Sequence, residues 1–382
     1  MRRRRCLLLA AAVLLLLLHA AAGTDTDADT VTPAAPLKGN RTLVSAGRAK
    51  YVLGFFAPDP DDTGRTRTYL GIWFNGIPER TVVWVANRGS PVLGGVDAAA
   101  LRVLANGSLA IVVDDDDAVV WATPPPPPGT ATASSSSSNA TAYAQLLENG
   151  NLVLRVPGAG VVWQSFDYPT DTLLPGMKLG IDFRTGLDRR MTSWRAAGDP
   201  SPGDYTFRLG PQGSPELFLY RRSASTYGSG PWNGYPFTGV PNLKSNGLLT
   251  FRFVTTRDEA YYSYDVVDSA AAPLTRFVLN SSAKIQWLMW IDMTRSWSVF
   301  QSYPLDECDG YRACGPYGVC SVERNRSAAA CRASTRASPP SGRSGTAPMG
   351  AGDARTSTAP ESESGQYWST RPPPLIPTAR GN

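Results

Sequence analysis

Histidine is almost absent from this sequence. The chain has 382 residues and one histidine, His19, which lies in the N-terminal segment. Ser-His-Asp or Cys-His catalysis, zinc binding by an HExxH motif and proton transfer by imidazole all need this side chain. If the N-terminal segment is removed, these kinds of site are excluded from the rest of the chain. A protein-kinase domain is excluded as well, because its His-Arg-Asp loop needs a histidine.

Long apolar runs are equally scarce. The longest lies at residues 6–18, after the four arginines at 2–5 and before the small residues at 20–23. A positive segment, a short apolar run and small residues together form the pattern of a secretory signal peptide. The run is too short for a membrane-spanning helix, which needs about 20 apolar residues. We therefore predict that residues 1–23 are a signal peptide and that the mature chain is secreted without a membrane span.

Cysteine is rare and clustered near the end of the chain. One of the five cysteines lies in the predicted signal peptide. The other four are Cys308, Cys314, Cys320 and Cys331. An even number of cysteines in an oxidising compartment predicts disulfides, and four cysteines allow three pairings. We predict that all four are disulfide-bonded, and the sequence leaves the pairing open.

The body of the chain lacks an excess of charge of either sign. The whole sequence has 37 Lys+Arg and 32 Asp+Glu, a formal net charge of +5. Removing the four arginines at 2–5, and the six arginines and three acids of 332–382, leaves 27 positive and 29 negative residues in 24–331, a charge of −2. A nearly neutral body has no electrostatic footprint for nucleic acid or an acidic membrane. We predict neither as a partner.

Possible N-glycosylation sites are frequent in this sequence. In a secreted chain an Asn-x-Ser/Thr triplet accepts an N-glycan, and the glycosylated side chain must be exposed. The sequence has five such triplets. We predict N-glycosylation at Asn40, Asn106, Asn139, Asn280 and Asn325.

One short motif occurs three times in the first half of the chain. Val-Val-Trp ends at Trp84, Trp121 and Trp163. The last two copies follow an Asn-Gly pair, at 106–107 and 149–150, that is flanked by alternating apolar residues. Asn-Gly in this setting is a strong signal for a β-hairpin. The repeat predicts three hairpin units around a common axis, with each tryptophan packed where the units meet.

Periodicity predicts strands in both halves and helices in neither. From 190 to 303 apolar and aromatic residues alternate with polar ones, and no apolar stripe with helical spacing is sustained. The fold class is therefore predicted to be all-β. Residues 122–142 contain runs of proline and serine, which predict an exposed loop insertion. Residues 332–382 are poor in aliphatic side chains and predict a disordered tail.

Longer motifs mark a resemblance to a known family. They stand at 42–45 (TLVS), 53–56 (LGFF), 69–73 (YLGIW), 84–88 (WVANR), 163–176 (WQSFDYPTDTLLPG), 192–194 (TSW), 230–234 (GPWNG) and 314–320 (CGPYGVC). Over about 30–325 the sequence resembles the extracellular part of plant S-domain, or G-type (bulb-type) lectin, receptor-like serine/threonine kinases and the S-locus glycoproteins. Compared with those receptors, we expect a chain truncated before the transmembrane and kinase regions.

The resemblance implies a domain layout. A bulb-type lectin domain, which is a three-sided β-prism, is expected at 24–178 with the loop insertion 122–142 inside it. An S-locus glycoprotein β domain is expected at 179–303. An incomplete epidermal-growth-factor-like (EGF-like) module is expected at 304–331, because its first three cysteines match the family and the later ones do not.

The resemblance also implies recognition rather than catalysis. In this family the extracellular part binds ligands outside the cell, in pollen recognition during self-incompatibility or in defence-type signalling, often with receptor dimerisation. We therefore expect a secreted, non-catalytic ectodomain whose partner is an extracellular protein, a peptide or a glycan. Such a chain acts as a soluble binder or decoy, or pairs with S-domain receptor kinases.

The sugar-binding motif of mannose-specific bulb lectins is degenerate here. That motif, Gln-x-Asp-x-Asn-x-Val-x-Tyr, aims alternate side chains of one strand at a hexose. In the third repeat its positions hold Leu147, Asn149, Asn151, Val153 and Arg155. Leucine offers no polar atom to a sugar hydroxyl, whose desolvation is then costly. We favour a lectin fold kept as a scaffold; weak mannose-type binding at Asn149, Asn151 and Val153 is the alternative.

Acidic residues raise two further possibilities. The four aspartates at 114–117 offer oxygens to calcium, but they lack the spacing of a calcium loop, and a solvated turn is the better interpretation. A glycoside hydrolase needs two carboxylates facing each other across a cleft, and no such pair is marked by its spacing. We predict no metal site, no cofactor and no catalytic residue.

Overall fold

β-Strands dominate the part of the chain that the structure describes. The structure is a computed structural model, and it describes residues 29–58, 66–113, 118–127, 141–268, 272–311, 314, 318–321 and 330–333. Within these ranges there is no α-helix, and short 3-10 turns occur at Val96–Ala98, Ser165–Asp167, Pro211–Gly213 and Glu307–Asp309. The prediction of an all-β fold is confirmed.

Several predictions concern residues outside the described ranges. These are the signal peptide at 1–23, the aspartates at 114–117, the sequons at Asn139 and Asn325, the central part of the 122–142 insertion and the tail beyond residue 333. They stay predictions.

The first half folds into three antiparallel sheets. Its strands are β1 (Thr30–Val31), β2 (Leu37–Lys38), β3 (Thr42–Val44), β4 (Tyr51–Phe56), β5 (Arg67–Phe74), β6 (Val82–Val85), β7 (Val92–Leu93), β8 (Ala99–Val103), β9 (Leu109–Val113), β10 (Val119–Ala122), β11 (Tyr143–Leu146), β12 (Leu152–Val156) and β13 (Gly160–Gln164). The sheet orders are β3-β4-β5-β6 with β7 on β5, β10-β9-β8-β2, and β1-β11-β12-β13. Three sheets agree with the expected three-sided prism.

The second half also folds into three antiparallel sheets, where we had expected only an unspecified β domain. Its strands are β14 (Thr172–Leu173), β15 (Leu179–Asp182), β16 (Leu187–Arg189), β17 (Met191–Ala196), β18 (Asp199–Leu209), β19 (Leu217–Arg221), β20 (Ala224–Gly228), β21 (Leu249–Thr255), β22 (Glu259–Val266), β23 (Thr275–Leu279), β24 (Ile285–Ile291) and β25 (Ser296–Tyr303). The sheet orders are β14-β23-β24-β25, β16-β15-β22-β21 and β17-β18-β19-β20.

The two halves share one nested topology. In each half the first strand joins the last sheet, since β1 pairs with β11 and β14 pairs with β23. The next strand joins the second-to-last sheet, since β2 pairs with β8 and β15 pairs with β22. The remaining sheet, β3 to β6 or β17 to β20, is continuous in sequence. In each half, the early strands therefore complete sheets that are built mainly from later strands.

The three tryptophans of the repeated motif meet at the centre of the first half. Trp84, Trp121 and Trp163 lie on β6, β10 and β13, the last strand of each sheet. Their ring centroids are 6.3, 6.2 and 5.8 Å apart, in edge-to-face arrangements. Edge-to-face packing is the geometry that aromatic quadrupoles favour. The predicted packing of one tryptophan per unit is confirmed.

The Asn-Gly turns form as the alternation predicts. Between β11 and β12 the N–H of Leu147 donates to the carbonyl of Asn151 at 2.9 Å. Gly150 has φ +87°, and a Cβ on it would lie 2.9 Å from a ring carbon of Tyr51. Glycine is required at this turn both by its left-handed backbone and by the contact. The same bonds occur in the second repeat.

One apolar core runs through both halves. It contains fully buried side chains from the first half, such as Leu53 and Leu152, and from the second half, such as Tyr264. Thr172 on β14 pairs with Val278 on β23, so this strand already belongs to a sheet of the second half; the expected domain boundary at residue 178 stays a prediction. Removal of this continuous apolar surface from water holds the two halves together as one compact unit.

A small cysteine-containing segment follows β25. Cys308 and Cys320 form a disulfide, and Cys314 is also disulfide-bonded. Strands β26 (Gly318–Ser321) and β27 (Ala330–Ala333) pair so that the backbone of Cys320 lies opposite Cys331. The assignment of this segment as a partial EGF-like module stays a prediction.

Candidate functional site

The predicted sugar-contacting residues occupy the start of β12 and the turn before it. Asn149 is exposed, and its Oδ1 accepts the N–H of Asn151 at 3.1 Å, which closes the turn. Val153 is only 1% exposed. Of the three predicted residues, only Asn149 therefore presents a side chain to solvent.

Asn151 is buried and forms hydrogen bonds within the chain. Its side chain is 5% exposed, and its Nδ2 donates to Oε1 of Gln164 at 2.9 Å. Its Oδ1 accepts from Oγ of Ser165 and from the N–H of Phe166, both at 3.2 Å. An asparagine amide has two donors and two lone pairs, and three of these four are occupied. Asn151 thus joins the start of β12 to the end of β13.

The three described sequons differ in exposure. Asn40 and Asn106 are exposed, as glycosylation requires, whereas Asn280 is half-buried in the turn between β23 and β24. Oδ1 of Asn106 accepts the N–H of Ser108 at 3.0 Å, a bond that does not involve the amide nitrogen to which a glycan would be attached. Glycosylation at these positions stays a prediction.

The two halves are joined by a buried arginine in the loop after β6. Arg88 is 8% exposed, and its Nε donates to the carbonyl of Pro200 at 2.6 Å. Its Nη1 and Nη2 donate to the carbonyls of Thr192 and Ser193 at 2.9 and 2.5 Å. These acceptors lie on β17 and β18, so one guanidinium of the first half binds three carbonyls of the second. Burial lowers the pKa of Arg88, and the nearby Asp171 opposes this shift.

A buried aspartate lies in the same region. Asp171 is 8% exposed, and its Oδ1 accepts from Oγ1 of Thr172 at 3.1 Å. Its main-chain carbonyl accepts the N–H of Leu279 on β23 at 2.8 Å. Burial raises the pKa of the Asp171 carboxyl, whereas the charges of Arg276 and Arg88 act in the opposite direction. Asp171 and the two arginines form a charge cluster where the halves meet.

An open cleft of about 340 Å³ lies beside this cluster, and we call it the junction cleft. Its lining residues are Glu79, Arg80, Thr81, Val82, Asp171, Trp194, Ala196, Ala197, Arg276, Val278, Leu279, Asn280, Ser281 and Trp297. The Arg276 guanidinium stacks on the Trp297 ring, 5.0 Å from its centroid. The Trp297 indole N–H donates to Oγ1 of Thr81 at 3.0 Å and fixes the ring. Aromatic faces beside polar groups are typical of small-ligand sites.

No sequence pattern marks these junction residues as a group. Arg88, Asp171 and Trp194 lie in three of the blocks that carry the family resemblance, WVANR, WQSFDYPTDTLLPG and TSW. The blocks are distant in sequence, and only the fold brings them to one place. Arg276 lies in none of the blocks, and no sequence signal marked it.

A metal site is not found in the described part of the chain. No group of three or more His, Cys, Asp or Glu side chains is placed there to hold an ion. In the same residues, no helix is long and apolar enough to cross a bilayer.

Two family models match the chain. The model for the D-mannose binding lectin matches residues 81–195, and the model for the S-locus glycoprotein domain matches residues 227–335. The receptor-like serine/threonine-protein kinase SD1-8 of Arabidopsis thaliana is 39% identical over 289 residues, 74% of this chain. The S-locus-specific glycoprotein BS29-2 of Brassica oleracea var. alboglabra is 36% identical over 291 residues, 75% of this chain.

This chain belongs to the S-domain family of S-locus glycoproteins and G-type lectin receptor-like kinases. It spans 62% of the length of the S-locus glycoprotein and 32% of that of the receptor kinase. The matched S-domain regions are non-catalytic, and no kinase domain is found in this chain. A monomeric mannose-binding lectin of Gastrodia elata aligns with 36% of this S-domain chain and 93% of its own at 17% identity, with a TM-score of 0.23.

Proposed function

We propose that this S-domain chain is a secreted recognition module that binds a protein or a peptide outside the cell. The observation that carries the proposal is the burial of Asn151, whose amide is used for bonds to Gln164, Ser165 and Phe166. A side chain with these internal partners contributes to the scaffold of the lectin half. We therefore assign recognition to other surfaces of the two halves.

An exposed strand edge in the second half supports a protein ligand. β25 is the last strand of the sheet β14-β23-β24-β25. It exposes 49% of Val299 and 47% of Phe300, and Met293 in the turn before it is 94% exposed. An edge strand offers unpaired backbone groups together with these apolar side chains, which is how extended peptides are added to a sheet.

The biological setting follows the family. A secreted chain of this kind binds ligands of pollen-recognition or defence-type signalling, either as a soluble decoy or by pairing with full-length S-domain receptor kinases. This part of the proposal is supported by the identity to S-locus-specific glycoproteins and receptor kinases over about three quarters of the chain.

Capture of partners from plant extracellular fluid tests the proposal. The secreted chain is used as bait, with Phe300→Asp as the edge variant and Phe183→Asp as a control, because Phe183 is 42% exposed in the turn between β15 and β16. We expect S-domain receptors or small secreted proteins to be bound, to be lost with Phe300→Asp and to be kept with Phe183→Asp. Capture of high-mannose glycoproteins alone would contradict it.

Weak mannose-type binding at Asn149, Asn151 and Val153 is the alternative. The exposed amide of Asn149 and the match to the D-mannose binding lectin model favour it. Binding to mannose on a glycan array that disappears with Asn149→Ala would support this lectin function. Asn151→Ala is a poor test variant, because it also removes three internal hydrogen bonds.

A further inference from the structure

Arg276 places its guanidinium on the wall of the junction cleft. Within the described residues this guanidinium forms no hydrogen bond; it stacks on Trp297, and its charge interacts with that of the nearby Asp171 carboxyl. Its Nε is fully enclosed, whereas the two Nη groups are not, and Arg276 lines the cleft. A half-buried guanidinium normally finds acceptors, since it has five N–H donors. The Nη groups of Arg276 are therefore placed to donate to an acceptor-bearing group in the cleft.

The lining of the cleft suits a sugar. Two indole rings, Trp194 and Trp297, stand beside the donors of Arg276 and the carboxyl of Asp171. A pyranose has an apolar ring face that packs on aromatic carbon, and its hydroxyl and N-acetyl oxygens accept hydrogen bonds. A volume of about 340 Å³ lies at the small end of the range for ligand pockets. One or two sugar rings are the fitting size of occupant.

A glycan attachment site lies on the wall of the same cleft. Asn280 and Ser281 line it, and with Ser282 they form a sequon. Oδ1 of Asn280 accepts the N–H groups of Ser282 and Lys284 at 2.9 and 3.0 Å, which fixes the amide. Its Nδ2 makes one long bond of 3.3 Å to Gln286, and a glycosylated amide keeps one N–H for that bond.

We propose that Asn280 is glycosylated and that the first sugars of its glycan lie in the junction cleft. In the transfer, Asn280 Nδ2 bonds to C1 of an N-acetylglucosamine; the C1–O bond to a lipid diphosphate donor breaks, and the amide loses one proton. The tether holds the sugar at a high local concentration, so weak contacts with Trp297 and Arg276 are enough to seat it. The inference rests on secretion of the chain.

Site-resolved deglycosylation tests the proposal. The full secreted chain is produced with high-mannose glycans and treated, in the native state, with an endoglycosidase that cuts between the two core N-acetylglucosamines. Mass spectrometry then follows release at Asn280 and at the exposed Asn40 and Asn106. We expect release at Asn280 to be about tenfold slower, equivalent to about 1.4 kcal/mol of protection, and to equal the others after denaturation.

Two matched variants separate the cleft from the rest of the fold. Ala197 is exposed and lines the cleft, so Ala197→Trp fills it and should make release at Asn280 as fast as at Asn40. Ala224 is exposed at the start of β20 and does not line the cleft, so Ala224→Trp should leave the protection unchanged.

Each other outcome counts against a defined part of the argument. Equal native release at all sites, or protection that survives Ala197→Trp, would overturn the seating of the glycan. Glycans at Asn40 and Asn106 with a bare Asn280 would overturn the cleft proposal and leave secretion intact. Absence of glycans from all three sites would overturn both.

Discussion

Arg88 is expected to be the most sensitive polar residue at the junction. Its guanidinium donates to three main-chain carbonyls of the second half, at 2.5 to 2.9 Å, from a side chain that is 8% exposed. Arg88→Met keeps the apolar stem and removes all three bonds. Each buried carbonyl that loses its donor lowers the unfolding free energy by about 1–3 kcal/mol. Because the three carbonyls share one donor group, their losses do not simply add, and we expect the unfolding free energy to fall by about 3–5 kcal/mol.

Urea unfolding followed by tryptophan fluorescence measures this loss. Arg184→Met is the control, because Arg184 has a side chain that is 73% exposed and a 3.8 Å ion pair with Asp182; we expect its loss to stay below about 1 kcal/mol. Arg88→Lys keeps the charge but replaces the planar fork by one ammonium, and should recover less than half of the loss.

Three results would refute the reasoning about Arg88. A loss no larger than that of Arg184→Met would mean that the bonds to the second half contribute little. Full recovery by Arg88→Lys would mean that charge, not the geometry of the fork, joins the halves. Because the halves share one core, we expect one transition in wild type; two transitions in wild type would contradict that shared core.

In the same urea assay, Asn151→Ala should lower the unfolding free energy by about 2–3 kcal/mol, because it removes three internal hydrogen bonds, and Asn149→Ala by less than about 0.5 kcal/mol. Equal losses would contradict the structural role of the Asn151 amide. Trp163→Ala should cost about 3–5 kcal/mol and Trp163→Phe clearly less, because a ring remains to pack on the other tryptophans; a neutral Trp163→Ala would refute the central packing. Burial raises the pKa of Asp171, so the folded state holds this proton to a higher pH than the unfolded chain, whose aspartates titrate near ~3.9. Its stabilising contribution is therefore lost as the pH rises from about 4 through the folded pKa. In Asp171→Asn the unfolding free energy should no longer decrease over this pH range. An unchanged dependence of the unfolding free energy on pH would contradict the burial argument.

The hairpins and the tryptophan cluster were predictable because their signals are local. Asn-Gly needs a left-handed glycine, and alternation sorts each strand into two faces, so the turn at Gly150 and the burial of Leu152 and Leu154 follow from adjacent residues. The threefold repetition of Val-Val-Trp predicted that Trp163 and its two counterparts would meet. No long-range information is needed for either inference.

The three-sheet fold of the second half was not predictable in the same way. Asn-Gly occurs there at 233–234 and 246–247, but no Val-Val-Trp follows it, and β14 finds its partner β23 about a hundred residues later in the sequence. Such long-range pairing depends on the whole fold, because a strand of two residues is too short for its partner to be inferred from its own sequence.

The all-β class, the threefold repeat and the near-neutral body follow from the sequence alone, because alternation, a repeated motif and a count of charges can be read without knowing the fold. The sequence also determined that Leu147 cannot serve a sugar. The roles of Asn151 and Arg88 depend on contacts that form only in the folded chain. From the sequence, the Asn151 amide would be taken for a sugar-binding group. In the fold it forms hydrogen bonds with Gln164 and Ser165. From the sequence, Arg88 would be taken for a surface charge. In the fold it is buried and donates to carbonyls of residues about a hundred positions later in the chain. Hydrogen bonds of buried groups are set by packing across the chain, which no local pattern encodes.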